Sequence, residues 1–179
     1  IDQTIEPRSG SFFSPDTRKV MKATPSRVTY EAPMSTAPSM RISDDMFLFN
    51  GAPDRYDWKL IGKKELYIPY NSYKSQAEGM EIADLLLGKH LNPEHIRYEL
   101  HRVWVVEASL KEGARHPYKR RVIYFDEDSW IATIAEIYDN DDVMVAGQVG
   151  FVKNHYDVPA CFQDFDVKYN FDNGQYNVD

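Results

Sequence analysis

The sequence has 179 residues, a net charge of −7 at pH 7 and an aromatic content of 13%. A chain of this length can form one domain with a substantial hydrophobic core, and its 12 tyrosines favour β structure. The acidic balance argues against nucleic acid and against an anionic membrane surface as partners. Uncharged apolar runs are only a few residues long. A membrane-spanning helix needs about 20 apolar residues, so no transmembrane segment is predicted.

Residues 1–55 are rich in proline and weakly patterned. Seven of the ten prolines lie within the first 70 residues. Proline cannot donate a ladder hydrogen bond, which excludes it from central strands. Short strands are predicted at residues 12–13 and 18–21, and a helical turn at residues 44–49. This segment is predicted to be irregular, with short strands, and to belong to the same domain as the rest of the chain.

Residues 56–179 are predicted to form an antiparallel β meander. Residues 97–110 show the clearest alternation of apolar and polar side chains, and their apolar centre on both faces predicts an interior strand. Gly62 interrupts the alternation within residues 56–70 and predicts a bulge or bend. Four later strands are predicted at residues 118–125, 129–138, 143–153 and 162–171.

Helical and turn signals separate these strands. Residues 76–88 are predicted to contain a helix, with Gly88 as its C-terminal stop. Asn92 followed by Pro93 is typical of a helix start, and this helix must be short because the strand at residues 97–110 follows closely. Asn173-Gly174 predicts a tight hairpin.

The residues that usually carry chemistry form no recognisable motif. None of the five histidines lies in an HExxH pattern or at zinc spacing from a cysteine, so no metal site and no cofactor are predicted. His101 is interpreted as a cross-strand hydrogen-bond partner rather than a catalytic base. Cys161 is interpreted as a small apolar residue, at least partly buried. Because GxSxG, P-loop and GxGxxG patterns are also absent, no catalytic residue is predicted and the chain is not expected to be an enzyme.

Aromatic residues recur across the predicted strands, which suggests a binding surface. On a curved sheet they could hold an acyl chain or another apolar ligand, with ordinary core packing as the alternative. Arg102 interrupts the apolar alternation of residues 97–110, and it is interpreted as a structural ion pair or as a contact for a ligand headgroup. The candidate ligand-binding residues are Trp58, Tyr67, Tyr98, Arg102, Trp104, Tyr124 and Trp130.

Three segments closely resemble DUF1329, a bacterial envelope family of unknown function that is similar to outer-membrane lipoprotein-sorting proteins. They are DRYDWKLIGKKELYIPYNSYK (residues 54–74), GKHLNPEHIRYELHRVWVVEASLKEGARHPYKRRVIYFDEDSW (residues 88–130) and NHYDVPA (residues 154–160). The resemblance implies a mainly β (α+β) fold: a strongly curved antiparallel sheet, an incomplete barrel similar to the carriers LolA and LolB, with a few short helices and the Pro-rich N-terminal segment.

The resemblance also implies a setting for the protein. Family members resemble periplasmic proteins whose signal peptide has been removed and which are associated with outer-membrane proteins or exporters of hydrophobic compounds. They are longer than this chain, which matches their C-terminal part. A missing N-terminal half is therefore expected to supply strands beside an edge that this chain leaves unpaired.

Together these observations predict a non-enzymatic periplasmic binding or carrier protein for a lipid, lipoprotein or other hydrophobic molecule, linked to the outer membrane. The alternative is an envelope interaction or assembly protein that docks on an outer-membrane barrel or exporter through its edge strands. An envelope hydrolase is a third hypothesis, for which no nucleophile–base pair is visible.

Overall fold

A computed structural model of the chain describes residues 5, 8–24, 30 and 40–179. Over these residues the protein is mainly β, as predicted. The strands in chain order are β1 (Ser11–Ser14), β2 (Lys19–Lys22), β3 (Tyr56–Pro69), β4 (Leu86–Leu87), β5 (His90–Leu91), β6 (Tyr98–Leu110), β7 (Arg120–Asp126), β8 (Ala132–Tyr138), β9 (Met144–His155), β10 (Ala160–Asn170) and β11 (Tyr176–Val178).

One seven-stranded antiparallel sheet organises the structure, with the spatial order β11-β10-β9-β8-β7-β6-β3. β6 lies between β3 and β7, which confirms its prediction as an interior strand. The sheet is curved and not closed. Where β3 ends, Tyr70 forms a parallel bridge with Val152 of β9, so the curvature brings the β3 edge of the sheet close to β9. The predicted incomplete barrel is confirmed.

The remaining strands form hairpins beside this sheet. β1 pairs with β2, and β4 pairs with β5. The predicted bulge in β3 is confirmed, because the pairing register with β6 shifts between Leu60 and Gly62. Gly62 adopts φ 142°, a conformation that residues with a Cβ rarely adopt.

The helix predicted near residues 76–88 is much shorter than expected. Only α1 (Ile82–Leu85) is α-helical, and a 3-10 turn covers Tyr73–Gln76. Gly79 lies at φ 82°, which breaks the helical path, and Asp84 accepts a hydrogen bond from the backbone N–H of Glu81 and so starts the helix there. Leu86 and Leu87 then turn to extended backbone because they pair with Leu91 and His90.

Three other 3-10 turns lie among the described residues, two of them where helical turns were predicted. They cover Ser43–Leu48, Pro53–Arg55 and Pro93–His95. The Asn92 side chain accepts a hydrogen bond from the N–H of Glu94, which confirms the helix start predicted from Asn92-Pro93.

Alternation along the strands gives the sheet two faces. Directly paired residues share a face. On one face, which we call the Val103 face, Val103 and Val122 pack with Ile68 and Val152 in the main core cluster. On the other, the Trp104 face, Trp104 lies opposite Phe125 of β7. The Val103 face is also covered near β9 to β11, where Leu85 and Leu91 pack on Phe151 and Val167.

Part of the Trp104 face is covered by residues 41–49, which we call the strap. Leu48 of the strap is fully buried and packs on Ile123, Ala132 and Ala135. The strap therefore covers β7 to β10 of this face, and its Phe49 also contacts Tyr56 and Trp58 at the start of β3. Among the described residues it leaves the middle of β3 and the first half of β6 uncovered on this face.

Gly150 of β9 lies directly beneath the strap. A Cβ at this position would be 2.6 Å from Gln163 Oε1 and 3.0 Å from Leu48 Cδ1. We expect Gly150→Ala to lower the free energy of unfolding by about 1–3 kcal/mol, because the buried Leu48 and the half-buried Gln163 must both move. Gly147→Ala is the control, since its Cβ would meet the half-exposed ring of Phe171 at 3.1 Å and that ring can shift. If urea unfolding showed that Gly150→Ala and Gly147→Ala lower the free energy of unfolding equally, this account would be contradicted.

Candidate ligand-binding site

An apolar groove lies on the Trp104 face, next to the strap. It consists of two adjoining cavities of about 560 and 400 Å³, which share Phe125 as a wall. The larger cavity is lined by Phe47, Phe49, Trp58, Ile123, Phe125, Ile131, Ala132, Cys161, Phe162 and Gln163. The smaller cavity is lined by Leu60, Trp104, Val106, Phe125 and Trp130.

Strand register explains why these side chains meet. Val106 of β6 pairs with Leu60 of β3 on one side and with Ile123 of β7 on the other. Two residues away in β6, Trp104 pairs with Phe125. Since side chains of one strand return to the same face every second residue, the three strands form one continuous apolar wall.

Two aromatic pairs complete the walls. Trp130, in the connection between β7 and β8, stacks on Trp104 with ring centroids 6.5 Å apart and an angle of 21° between the planes. Phe49 of the strap meets Trp58 edge to face at 5.0 Å. Trp130 is nevertheless 69% exposed and Leu60 is 60% exposed, so the described residues leave much of this apolar surface open to solvent.

Two buried polar atoms beside the groove have no hydrogen-bond partner among the described residues. They are Trp104 Nε1, a donor, and Gln163 Oε1, an acceptor. Buried polar groups are nearly always paired in native proteins. A bound molecule with one polar substituent could therefore satisfy either atom.

The rim of the smaller cavity is charged. Lys63 lies 4.2 Å from the ring centroid of Trp104. Lys63 and Arg102 both form ion pairs with Glu127. These contacts give Arg102 a structural ion pair, and because two cations share one carboxylate, the three residues together carry one net positive charge.

The candidate residues from the sequence fall into three groups. Trp58, Trp104 and Trp130 line the groove. Tyr67 and Tyr98, 65% and 46% exposed, are outside the two cavities, and Arg102 lies in a separate polar pocket of about 260 Å³. Tyr124 belongs to the core cluster of the Val103 face, where its hydroxyl donates to Glu136 at 2.8 Å.

Sequence reasoning missed several wall residues. Phe125, which follows Tyr124 in β7, occupies the place in the groove that had been expected for Tyr124. The alternation of β7 separates these two side chains, but only the pairing with Trp104 identifies which of them faces the groove. Phe47 and Phe49 come from a segment without a strand pattern, so no sequence signal pointed to them.

A buried network of charges fixes the strap on the sheet. Asp44 accepts hydrogen bonds from Arg121 Nη2 at 2.7 Å and from His116 Nε2 at 2.9 Å. Asp45 accepts from Lys168 Nζ at 2.6 Å. All of these side chains are at most 3% exposed. A second buried pair, Arg41 with Asp166, holds the beginning of the strap at 2.6 Å.

His116 has partners on both ring nitrogens. Nδ1 lies 2.7 Å from the Tyr56 hydroxyl and 3.0 Å from the backbone N of Tyr118, and Nε2 lies 2.9 Å from Asp44. Around this ring, three acidic groups (Asp44, Asp45 and Asp166) face three cations (Arg41, Arg121 and Lys168).

Burial and ion pairing shift the pKa values of these groups in opposite directions. Burial by itself would raise the pKa of Asp44, but Arg121 and His116 outweigh it, so the pKa of Asp44 is lowered. For Asp166, burial prevails over Arg41 and raises the pKa. Burial also lowers the pKa of Lys168 against the opposing effect of Asp45.

These shifts predict how stability depends on acid. A carboxyl whose folded pKa is lowered stabilises the fold above its unfolded pKa of about 3.9, and this contribution is lost as the pH falls through the folded value. In the Asp44→Asn variant, the free energy of unfolding should therefore fall less steeply than in the wild type as the pH drops below about 4. The pKa of Asp166 is shifted in the opposite direction, so Asp166→Asn should not make this fall less steep. Urea unfolding between pH 2 and 5 measures both slopes, and a flatter curve for Asp166→Asn alone would contradict the assignment.

His101 anchors the connection that carries Trp130. Its Nδ1 is 2.8 Å from Oδ1 of the fully buried Asp126, as expected for a cross-strand partner. The other oxygen of Asp126 accepts hydrogen bonds from the backbone N–H and hydroxyl of Ser129. His101, Asp126 and Asp128 are close enough to ligate a metal ion, although both oxygens of Asp126 already have protein partners.

The family model for proteins of unknown function DUF1329 matches residues 1–179, the whole of the chain. The chain belongs to the DUF1329 family. An uncharacterized Pseudomonas aeruginosa protein, PA3922, is 39% identical over 176 residues, which cover 98% of this DUF1329 chain and 38% of that protein. The chain thus spans well under half of the length of this curated relative.

Two solved structures share the fold of this DUF1329 chain. One is a putative outer membrane lipoprotein-sorting protein domain from Vibrio parahaemolyticus, with a TM-score of 0.54 and 11% identity over 94% of this chain and 55% of that one. The other is a DUF1329 family protein from Desulfovibrio piger, with a TM-score of 0.54 and 15% identity over 94% of this chain and 54% of that one. No helix among the described residues is long and apolar enough to cross a membrane.

Proposed function

We propose that this DUF1329 chain is the ligand-binding part of a non-enzymatic periplasmic carrier for a lipid, lipoprotein or other hydrophobic molecule, linked to the outer membrane. The observation that carries the proposal is the open apolar groove on the Trp104 face. Its two cavities of about 560 and 400 Å³ have the size typical of small-molecule sites.

The composition of the groove supports binding rather than simple packing. Exposed large apolar side chains gather at one place: Phe47 is 55% exposed, Leu60 60%, Trp130 69% and Phe162 52%. A contiguous apolar surface of this kind usually marks a binding site. Each Å² of it that a ligand covers contributes about 25 cal/mol before the cost of ordering.

The fold is compatible with this role. One of the structures that share it is titled a lipoprotein-sorting protein domain of the outer membrane. At 11% identity this likeness concerns the fold, and it supports the proposal only by showing that such a curved sheet occurs in a protein with that title.

The direct test is to purify the protein from its envelope, extract it with organic solvent and analyse the extract by mass spectrometry. We expect a hydrophobic molecule in stoichiometric amount. The matched sample is the Trp104→Ala/Trp130→Ala variant, which should yield much less of it while its circular dichroism spectrum stays unchanged. An empty wild-type extract, together with no uptake of apolar probes, would refute the proposal.

The second candidate, an interaction or assembly protein, is favoured by the outer edge of β3. Within the part of the chain that the structure describes, β3 pairs with β6 along one side only in the seven-stranded sheet, and residues 57–61 are exposed. An edge of this length is a template for another strand. An outer-membrane barrel or an exporter could supply that strand.

Partner capture separates the two candidates. Ile61→Lys places a charge on the exposed edge, where Ile61 is 52% exposed. If docking is the function, this variant should lose an outer-membrane partner in pull-downs from envelope extracts, whereas the carrier proposal predicts that ligand recovery is unaffected.

A further inference from the structure

Two aromatic residues of the groove have an unusual backbone conformation. Among the described residues, six that are not glycine have positive φ angles: Arg18, Phe47, Leu48, Asn71, Trp130 and Asp142. Asn and Asp tolerate this region, and Arg18 lies in a hairpin turn. Leu48 is fully buried, so core packing compensates its strain. Phe47 (φ 52°) and Trp130 (φ 60°) are bulky, more than half exposed, and receive little such compensation.

These two residues also line the groove, one in each cavity. Strain of this kind persists only where the surrounding structure enforces it, and it is concentrated at ligand clamps and switches. Two bulky residues in this conformation at one apolar site therefore call for an explanation in terms of what the groove binds.

Buried anchors hold each of the two rings in place. Phe47 follows Asp44 and Asp45, which are fixed by Arg121 and Lys168, and it precedes the buried Leu48. The backbone N–H of Trp130 donates to the Asp126 carbonyl at 2.9 Å. Asp126 is itself held by His101 and Ser129. Both rings are thus placed over the groove by rigid neighbours before any ligand arrives.

The walls of the groove add further aromatic rings. Of the twelve other residues that line the two cavities, five are aromatic: Phe49, Trp58, Trp104, Phe125 and Phe162. Flat rings gain most from contact with other rings, through stacked or edge-to-face geometry. A flexible acyl chain gains only the burial of its area and loses conformational entropy when it is fixed.

Resting on the carrier function proposed above, we propose that Phe47 and Trp130 form an aromatic clamp, preset by strained backbone, which selects hydrophobic ligands with a rigid ring system over linear acyl chains. Its action is non-covalent. The ligand contacts rings that are already in position, and the preorganised backbone reduces the ordering cost of binding.

The test uses two fluorescent probes, N-phenyl-1-naphthylamine for ring ligands and cis-parinaric acid for linear chains. The wild-type protein should bind the naphthyl probe at least about tenfold more tightly. Phe47→Gly and Trp130→Gly each remove a ring, so each should weaken binding of the naphthyl probe about tenfold. Each substitution also relieves backbone strain, so the Tm should stay within about 2 °C of the wild type or lie above it. Phe47→Tyr and Trp130→Phe keep a ring and should retain binding.

Arg18→Gly is the matched control, because it gives the same backbone relief in the β1–β2 turn without touching the groove. It should leave the affinity for both probes unchanged. Equal affinity for both probes, or unchanged naphthyl binding by the two glycine variants, would overturn the clamp while leaving the carrier function in place. Failure to bind either probe would overturn the clamp, and together with an empty wild-type extract it would overturn the carrier function as well.

Discussion

Asp44→Ala is expected to lower the free energy of unfolding by about 3–5 kcal/mol, the usual cost of removing one partner from a buried ion pair. Asp44 is 2% exposed, and its loss leaves Arg121 without its shortest charged contact and His116 Nε2 without an acceptor. Nε and Nη1 of Arg121 already have no hydrogen-bond partner among the described residues, and the charged contact that remains is Asp45 Oδ1, 3.7 Å from Nη2. Urea unfolding monitored by circular dichroism measures the loss.

The matched control is Arg97→Ala. Arg97 pairs with Glu99, but its side chain is 57% exposed. Exposed pairs contribute at most about 1 kcal/mol, so this variant should change little. A loss for Asp44→Ala no larger than that for Arg97→Ala would show that the buried network does not hold the strap.

Trp104→Ala is expected to weaken binding of a hydrophobic ligand about 30-fold, which corresponds to about 2 kcal/mol for an aromatic residue at the centre of a site. Trp104 forms a wall of the smaller cavity and stacks with Trp130. Its indole N–H has no partner among the described residues, so the substitution leaves no protein acceptor unpaired there. Probe titration gives the affinity, and thermal unfolding shows whether the fold is retained.

Tyr67→Ala is the comparison for this variant. Tyr67 is an aromatic residue of β3, 65% exposed, and it lies outside both cavities. We expect its substitution to leave the affinity unchanged. If Tyr67→Ala weakened binding as much as Trp104→Ala, the ligand would lie further along β3 than the groove.

Most of the sheet could be predicted because its signals are local. β6 alternates towards both ends around an apolar centre, and the turns that follow it carry Gly, Asp or Asn, so strand order and direction followed from short connections. The helix predicted at residues 76–88 is longer than the one in the structure, because Gly79 and the β4–β5 pairing override the helical periodicity.

The site was harder to predict because its parts are joined over long distances in sequence. The contact between Asp44 and Arg121 spans 77 residues, and that between Asp45 and Lys168 spans 123. In the sequence Asp44 and Asp45 only indicated a helical turn. Their burial, and with it the position of Phe47 and Phe49, depends on partners that no local pattern identifies.

The three tryptophans of the sequence, Trp58, Trp104 and Trp130, all line the groove, which makes their fluorescence a direct reporter of its occupancy. The most direct test of the account is therefore to titrate the protein with a brominated apolar ligand, since bromine quenches tryptophan only at contact. We predict saturable quenching of most of the emission, at the same concentrations at which calorimetry reports binding. Binding by calorimetry without quenching would place the ligand elsewhere on the protein and contradict the account.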